Sequence, residues 1–375
     1  MQDVQGKYTS AKIFAKTIED GVISQVENVT NHPIFKDCNI AIQADCHVGK
    51  GCVIGFTSQM PKNGEVIPNI IGVDQFCGMY TVKLSDNDIT NDYAKLDKVI
   101  KRNIPTERNG RYKFSPLVSD EFIEKTKKIC KDYLKEDFTS HIKRVGSLGD
   151  GNHFISLEKG KSGTYLIIHT GSRNIGLKLA IYFQDLAIKT NCYGEGELKQ
   201  LSYLSGKDAE DYLLCADYCR EYANLNRKII AHDIMVGMRW KAEEEFETVH
   251  NYIGEDNIIR KGAISCKKDE KVLIPLNMKD GSLIATGKGN EDFNCSGPHG
   301  AGRLLSRSEA KSKLSMEEYK EQMKNIYSTC ICAGTIDESP MAYKNGDEII
   351  EQISPTAEII DHLLPLYNFK ATGRS

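Results

Sequence analysis

The sequence predicts an α+β fold, a single large interleaved domain over residues 1–375. Three observations lead there. Short apolar or alternating runs, broken by Gly, Pro and Asn, fill the first third of the chain as strands do. A long stretch of helical period begins at Asp208. No repeat, low-complexity tract or Pro/Gly/Ser-rich linker divides the chain into halves.

Taken in order, Cys38–Ile42, Cys52–Phe56, Val66–Gly72 and Met79–Leu84 read as strands between glycine-rich turns. Ser119–Lys135 reads as an amphipathic surface helix, with Phe122, Ile123, Ile129 and Leu134 among lysines and glutamates and Ser119-Asp120 as its cap. Val145–Ile155 is glycine-rich. Tyr165–His169 is a β-type run that delivers the polar loop Thr170-Gly171-Ser172-Arg173, a common way to build a site. From Asp208 to about His250, residues such as Ala216, Cys219, Ala223, Ile230, Ile234 and Met238 keep helical spacing, and Glu243-Glu244-Glu245 with Glu247 reads as a solvated helix face. Strand-like pieces follow at Ile258–Cys266, Val272–Leu276 and Leu283–Thr286, and short helices at Ser315–Tyr327 and Ala357–Leu364 finish the chain.

Lys plus Arg number 49 against 52 Asp plus Glu, a formal charge of −3. There is no global basic field to announce a nucleic-acid partner, although a local patch is compatible with that balance. No basic segment followed by an apolar one opens the chain, and no run reaches the ~18 apolar residues of a membrane span, so a cytoplasmic protein is expected. The 12 cysteines are scattered, which suits reduced thiols. Most read as small buried side chains. Cys215 and Cys219 fall on the apolar side of the long helix, and Cys330-x-Cys332 reads as a strand pair.

Five of the nine histidines stand in polar or glycine-rich settings: His47, His153, His169, His250 and His299. His32, His141, His232 and His362 have no such neighbours and read as structural. Imidazole, thiolate and carboxylate together suit a borderline divalent metal. Asp74 and Cys77, three residues apart, add a carboxylate and a thiol. No Cys-x₂-Cys pair and no His-Glu-x-x-His helix is present, so a metal site must be assembled from distant segments. Gly287-Lys288-Gly289-Asn290 lacks the spacing of a nucleotide loop. Arg173 and Arg303, each close behind a site histidine in a glycine-bearing loop, suit phosphate better.

The ordered set Asp45-Cys46-His47-Val48-Gly49-Lys50-Gly51, Gly72-Val73-Asp74 through Cys77-Gly78-Met79, Leu148 to Phe154, His169 to Arg173, His250-Asn251-Tyr252, Arg260 to Ala263, His299 to Arg303 and Asp337 to Lys344 resembles the RtcB family of RNA-splicing ligases. The resemblance implies the family's own α+β fold and a GTP- and Mn²⁺-dependent joining of RNA 2′,3′-cyclic-phosphate or 3′-phosphate ends to 5′-hydroxyl ends. Carried over by position, Asp74, Cys77 and His153 would hold one manganese and Cys77, His169 and His250 a second. His299 would be the histidine that becomes guanylylated. The same matching places Asn152, His153, Phe154, Ile155, Ser156, His250, Asn251, Pro275, Leu276, Asn277, Met278, Ser282, His299, Gly300, Ala301, Gly302 and Lys370 at GTP, and Arg173, Arg303, Asp45 and His47 at the RNA terminus. A monomer, and an archease-type activator, are what the family suggests. A decyclase that no longer seals and a non-catalytic RNA-end binder are the competing readings.

Three departures fall on base recognition. Where the family has a glutamate two residues after Asn-His-Phe, this chain has Ser156, with Glu158 two further along. The family's Pro-Gly-Ser-Met turn is Pro275-Leu276-Asn277-Met278, and its Lys-Gly end is replaced by Phe369-Lys370-Ala371-Thr372-Gly373-Arg374-Ser375. A serine cannot accept both guanine N–H donors as a carboxylate does, so retained guanylyl transfer with altered nucleotide specificity is expected.

Overall fold

The computed structural model describes residues 2–85 and 92–373; Arg374 and Ser375 of the divergent end lie outside them. It is α+β, as the pattern of runs predicts. The strands are β1 (Gln2–Gln5), β2 (Ser10–Ile13), β3 (Ile40–His47), β4 (Ile54–Gln59), β5 (Gly78–Leu84), β6 (Phe154–Gly160), β7 (Gly163–Thr170), β8 (Ala242–Val249), β9 (Tyr252–Ile253), β10 (Ile258–Lys261), β11 (Ala263–Ser265), β12 (Lys271–Asn277), β13 (Gly281–Gly287), β14 (Ser296–Pro298) and β15 (Ala357–Phe369). The helices are α1 (Val22–Thr30), α2 (Pro68–Ile71), α3 (Tyr93–Asn103), α4 (Asp120–Ile129), α5 (Thr139–Lys143), α6 (Arg173–Thr190), α7 (Gly206–Met238), α8 (Arg307–Lys313), α9 (Met316–Gln322) and α10 (Gly346–Ile353).

Among the described residues these strands form three sheets: β1-β2-β3-β4-β10-β9, the pair β11-β14, and β12-β13-β15-β6-β7-β5-β8. Alternation along β5 and β7 explains how the third is buried on both sides. Val82, Leu166 and Ile168 pack against Ile230, Ile234 and Met238 of α7, while Met79, Tyr165 and Ile167 face Leu273, Ile284 and Leu363. The antiparallel register then brings Gly78 beside both Thr170 and Val249, and Phe154 beside His169. One end of the sheet therefore carries Cys77, His153, His169 and His250 together.

Several elements differ from the expectations. Val66–Gly72 is not a strand: Pro68 supplies the preset φ of a first helical residue, and the run closes into α2. The long helix stops at Met238, where Arg239 adopts a left-handed conformation, and Glu243–Glu247 belong to β8 at the sheet edge. Glu243 and Glu244 pair there with Lys83 and Lys271, so charge caps an edge strand. Ala357–Leu364 is strand as well, part of the central β15. Cys330 and Cys332 lie outside any strand, Cys332 capping a short 3₁₀ turn. The helices α1, α3, α5, α6, α8 and α10 fall where no helix is predicted. By contrast, α4 begins as expected, Ser119 Oγ accepting the Phe122 N–H at 3.2 Å.

Candidate active site

The donors Asp74, Cys77 and His153 lie within 4.8 Å of one another, and so do Cys77, His169 and His250; each group could hold a metal ion, and Cys77 belongs to both. The backbone prepares them. His153 Nδ1 lies 3.0 Å from the Leu148 carbonyl and His169 Nδ1 3.2 Å from that of Asn152. An Nδ1–H donated to the Asn152 carbonyl leaves the His169 Nε2 lone pair facing Cys77 Sγ at 3.2 Å, whereas His153 Nε2, 3.4 Å from Cys77 Sγ, donates to the Asp74 carboxylate at 2.9 Å. Nδ1 of His250 is buried without a partner among the described residues.

Electrostatics favours a cation here. Burial, then the charges of His153 and His299 respectively, hold His169 and His250 far below the usual imidazole range, as neutral ligands with free lone pairs. Burial opposes ionisation of Asp74, but His153 and Arg173 outweigh it and keep the carboxyl below its ordinary range. Burial and the adjacent Asp74 push the Cys77 thiol well up. A divalent ion would reverse that last effect and supply the positive charge that a buried thiolate and carboxylate lack. The donor set thus fits two close borderline ions sharing a sulfur ligand.

Two further features fix the cluster. Phe76, just before Cys77, has φ 53°, a costly conformation for a bulky residue. Arg227 of α7 holds it there: one guanidinium nitrogen donates to the carbonyls of Phe76 and Thr170, both at 2.8 Å, while Nε pairs with Glu247 at 3.0 Å. The residues before Cys77 and after His169 are thereby tied to one helix. Gly171 is also required, since a Cβ there would come 2.3 Å from Asp74 Oδ1.

A cavity of about 320 Å³ opens beside the cluster, within the size range of small-molecule sites. His169 and His250 form part of its wall, and the His299 ring stands 5.0 Å from that of His250. His299 follows β14, and its backbone N–H donates to Oδ2 of the buried Asp45 at 3.1 Å. The same oxygen lies 2.6 Å from His299 Nδ1. His47 Nδ1 is 3.2 Å from the Asp45 carbonyl. Gly302 closes the loop over β3: its φ is +73°, and a Cβ would meet the Asp45 carbonyl oxygen at 2.7 Å.

Most residues expected at a nucleotide line this cavity: Asn152, Phe154, His250, Asn251, Pro275, Leu276, Asn277, Met278, Ser282, His299, Gly300, Ala301, Gly302 and Lys370, together with His47 and Arg303. Ile155 does not; it points into the core with Leu157 and Ile168, because strand alternation turns it away. Ser156 is not in the wall either, being fully buried behind it. His153 and Arg173 face a second depression with Asp74, Arg108 and Arg144. There a guanidinium nitrogen of Arg173 lies 2.9 Å from His153 Nδ1.

Glu158, Arg307, Glu338, Tyr343 and Asn368 also line the cavity, although sequence reasoning assigned them no role. Glu338 is encircled: Arg303 at 3.2 Å, Arg307 at 2.6 Å, Lys370 at 3.1 Å and the Tyr343 hydroxyl at 2.8 Å. Burial would raise its carboxyl, yet Lys370 and Arg307 bring it down to about 2. Its signal in the sequence is the polar run Asp337-Glu338-Ser339, which sits far from every histidine. The loop Gly287–Asn290 takes no part in the cavity.

An α+β scaffold that gathers metal-ligating side chains and a carboxylate-held histidine around one cavity is built for catalysis, and comparison with known proteins gives its class as an RNA ligase. The chain belongs to the family described as tRNA-splicing ligase RtcB, whose model matches residues 25–371. It is similar to the RNA-splicing ligase RtcB of Escherichia coli strain K12, 31% identical over 92% of each chain. It is also similar to the tRNA-splicing ligases RtcB of Nanoarchaeum equitans, 25% identical over 92% of this chain and 90% of that one, and Archaeoglobus fulgidus, 26% identical over 96% and 92%. Among the described residues no helix is long and apolar enough to cross a membrane.

Proposed function

We propose that this ligase joins RNA 2′,3′-cyclic-phosphate or 3′-phosphate ends to 5′-hydroxyl ends, using GTP and manganese, through a guanylylated His299. The observation that carries the reading is the placement of His299 between the Asp45 carboxylate and the metal-ligand cluster, with a cavity in front of it. Asp74, Cys77 and His153 would hold one manganese ion and Cys77, His169 and His250 the other. Bound there, manganese supplies positive charge against the phosphate oxygens that gather during transfer.

Asp45 accepts the Nδ1 proton of His299, which leaves the Nε2 lone pair free. Nε2 attacks the α-phosphorus of GTP, a P–N bond forms, and the P–O bond to pyrophosphate breaks. A cyclic end is first opened by water, whose oxygen bonds to phosphorus as the P–O2′ bond breaks and the 2′-oxygen takes the proton; an oxygen of the RNA 3′-phosphate then attacks the guanylyl phosphorus and releases the imidazole. Finally the 5′-hydroxyl attacks the activated 3′-phosphate, giving up its proton, and GMP leaves. Arg303, anchored on Glu338, lies in the wall where a phosphate chain would run, and Arg173 lines the second depression, where an RNA strand can approach.

The test is a ligation assay with cyclic-phosphate and 5′-hydroxyl RNA in the presence of Mn²⁺ and GTP, alongside covalent labelling by α-³²P-GTP. Joined product, and label that disappears in His299→Ala, support the reading. Opened cyclic phosphate without label or joining would instead favour a decyclase, and RNA binding without turnover an end binder. A monomer acting in the cytoplasm with an archease-type activator completes the proposal; sedimentation, cell fractionation and stimulation of turnover by added archease test those parts.

A further inference from the structure

Away from the metal-ligand cluster, three buried polar atoms of cavity-lining residues make no well-formed hydrogen bond among the described residues: Oε2 of Glu158, Oγ of Ser282, which only approaches the Glu158 carboxyl, and Oδ1 of Asn368. They come from three adjacent strands, β6, β13 and β15. Buried polar atoms are almost always satisfied, so three in one cavity point to a ligand that satisfies them.

The strand pleat explains why Glu158 can do what residue 156 cannot. Phe154, Ser156 and Glu158 alternate onto the same face of β6, so a displacement of two residues along the strand keeps a side chain facing the same way. Ser156, opposite Asn368 in the register, is fully buried and donates its hydroxyl to Glu158 Oε1 at 2.7 Å. That bond orients the carboxyl and leaves Oε2 without a well-formed hydrogen bond. Phe154 offers a ring in the same wall, with Lys370 Nζ 5.6 Å from its centroid. A flat, polar-edged ring fits such a place.

The chemistry of the acceptors selects among such rings. An ionised Glu158 Oε2 and Asn368 Oδ1 both accept. The Watson–Crick edge of guanine presents two donors, N1–H and the 2-amino group; hypoxanthine presents N1–H alone; adenine presents an acceptor at N1 and a donor at its 6-amino group. We propose that Glu158, aided by Asn368, is the base-reading carboxylate of this chain and selects a guanine nucleotide through its N1–H and 2-amino donors. The proposal rests on the nucleotide-dependent reading above and goes beyond it, because the loss of a glutamate at 156 then leaves guanine specificity intact. Burial lifts the Glu158 carboxyl to about 7, against the hydroxyls of Ser156 and Ser282. Two N–H donors from a base would draw it toward the ionised form.

The experiment is equilibrium binding of GMP, IMP and AMP, none of which can label His299, to the full chain and to Glu158→Gln and Asn368→Ala. The unaltered chain is expected to bind GMP about tenfold or more tighter than AMP, with IMP between them, and Glu158→Gln to lower the GMP/AMP ratio about tenfold. Asn368→Ala lowers it less. Equal binding of GMP and AMP by the unaltered chain overturns the proposal, as does an unchanged ratio in a Glu158→Gln protein that retains a cooperative thermal transition. Should that variant fail to fold, IMP bound as tightly as GMP by the unaltered chain overturns it equally. Base discrimination without His299 labelling would sink the ligation mechanism and leave the assignment of Glu158 standing.

Discussion

Asp45 Oδ2 lies 2.6 Å from Nδ1 of His299 and accepts the backbone N–H of the same residue at 3.1 Å. A single buried oxygen therefore sets the ring's position and its tautomer. In Asp45→Asn the amide can donate to Nδ1 instead, which moves the imidazole proton to Nε2 and removes the lone pair on which the proposed guanylylation depends. Covalent labelling by GTP is expected to slow by roughly 10²–10⁴-fold, in the range of a lost general base. Metal content, measured by elemental analysis, should not change, since Asp45 is in neither ligand group.

Cys77 is the donor common to both groups. Cys77→Ser replaces a polarisable thiolate by a hydroxyl that stays protonated, so both positions should lose affinity, by about 10–100-fold or more. Manganese titration of the variant against the unaltered chain measures this. His299→Ala, in contrast, should bind manganese normally.

Arg227 is buried and holds the carbonyls of Phe76 and Thr170. Arg227→Met leaves two carbonyls unsatisfied and frees the strained Phe76 backbone, at a cost of about 3 kcal/mol. Urea unfolding should show the loss of stability. Weaker metal binding should accompany it, because the two segments the arginine joins carry Cys77 and His169.

Glu158 predicts a pH dependence of stability. Its folded value of about 7 stands above its ordinary 4.5, so the folded state binds the proton more tightly. The stability of the neutral form is fully present below 4.5 and is lost as pH rises through 7, a change of about 3 kcal/mol. Without nucleotide, Glu158→Gln should match the unaltered chain near pH 4 and exceed it in thermal unfolding at pH 8. A difference independent of pH would refute this.

The sheet end that carries the site was legible where its residues announce themselves. Tyr165–His169 and Met79–Leu84 read as strands because β-branched and aromatic residues crowd them, and both are. The five histidines stood out through their polar or glycine-rich surroundings, whereas Asp74 and Cys77 offered only a carboxylate and a thiol three residues apart, and the family resemblance gave them a role. Other parts were illegible for physical reasons. In β15 the stretch around Ile359–Leu366 is as compatible with a short helix as with a strand until pairing with β6 and β13 decides. The glutamates of β8 resemble a solvated helix face because an edge strand also shows charge to water. Glu338 lies in a motif the sequence shows, Asp337 to Lys344, but its role is not in the local pattern: it comes from Arg303, Arg307 and Lys370, which only tertiary contact brings to it. Glu158 was visible as a departure, but its place in the cavity wall needed the strand's facing.

The position of β15 bears on how the protein is made. It lies in the middle of the seven-stranded sheet, between β13 and β6, yet follows both in the chain. During synthesis the inner edges of β6 and β13 are therefore open until residues 357–369 emerge, and each offers unpaired backbone donors and acceptors to any passing strand. The cavity, walled by Asn368 and Lys370, cannot form before that moment. Nascent chains stalled short of this strand should be insoluble and lack the cavity, however complete the candidate metal cluster.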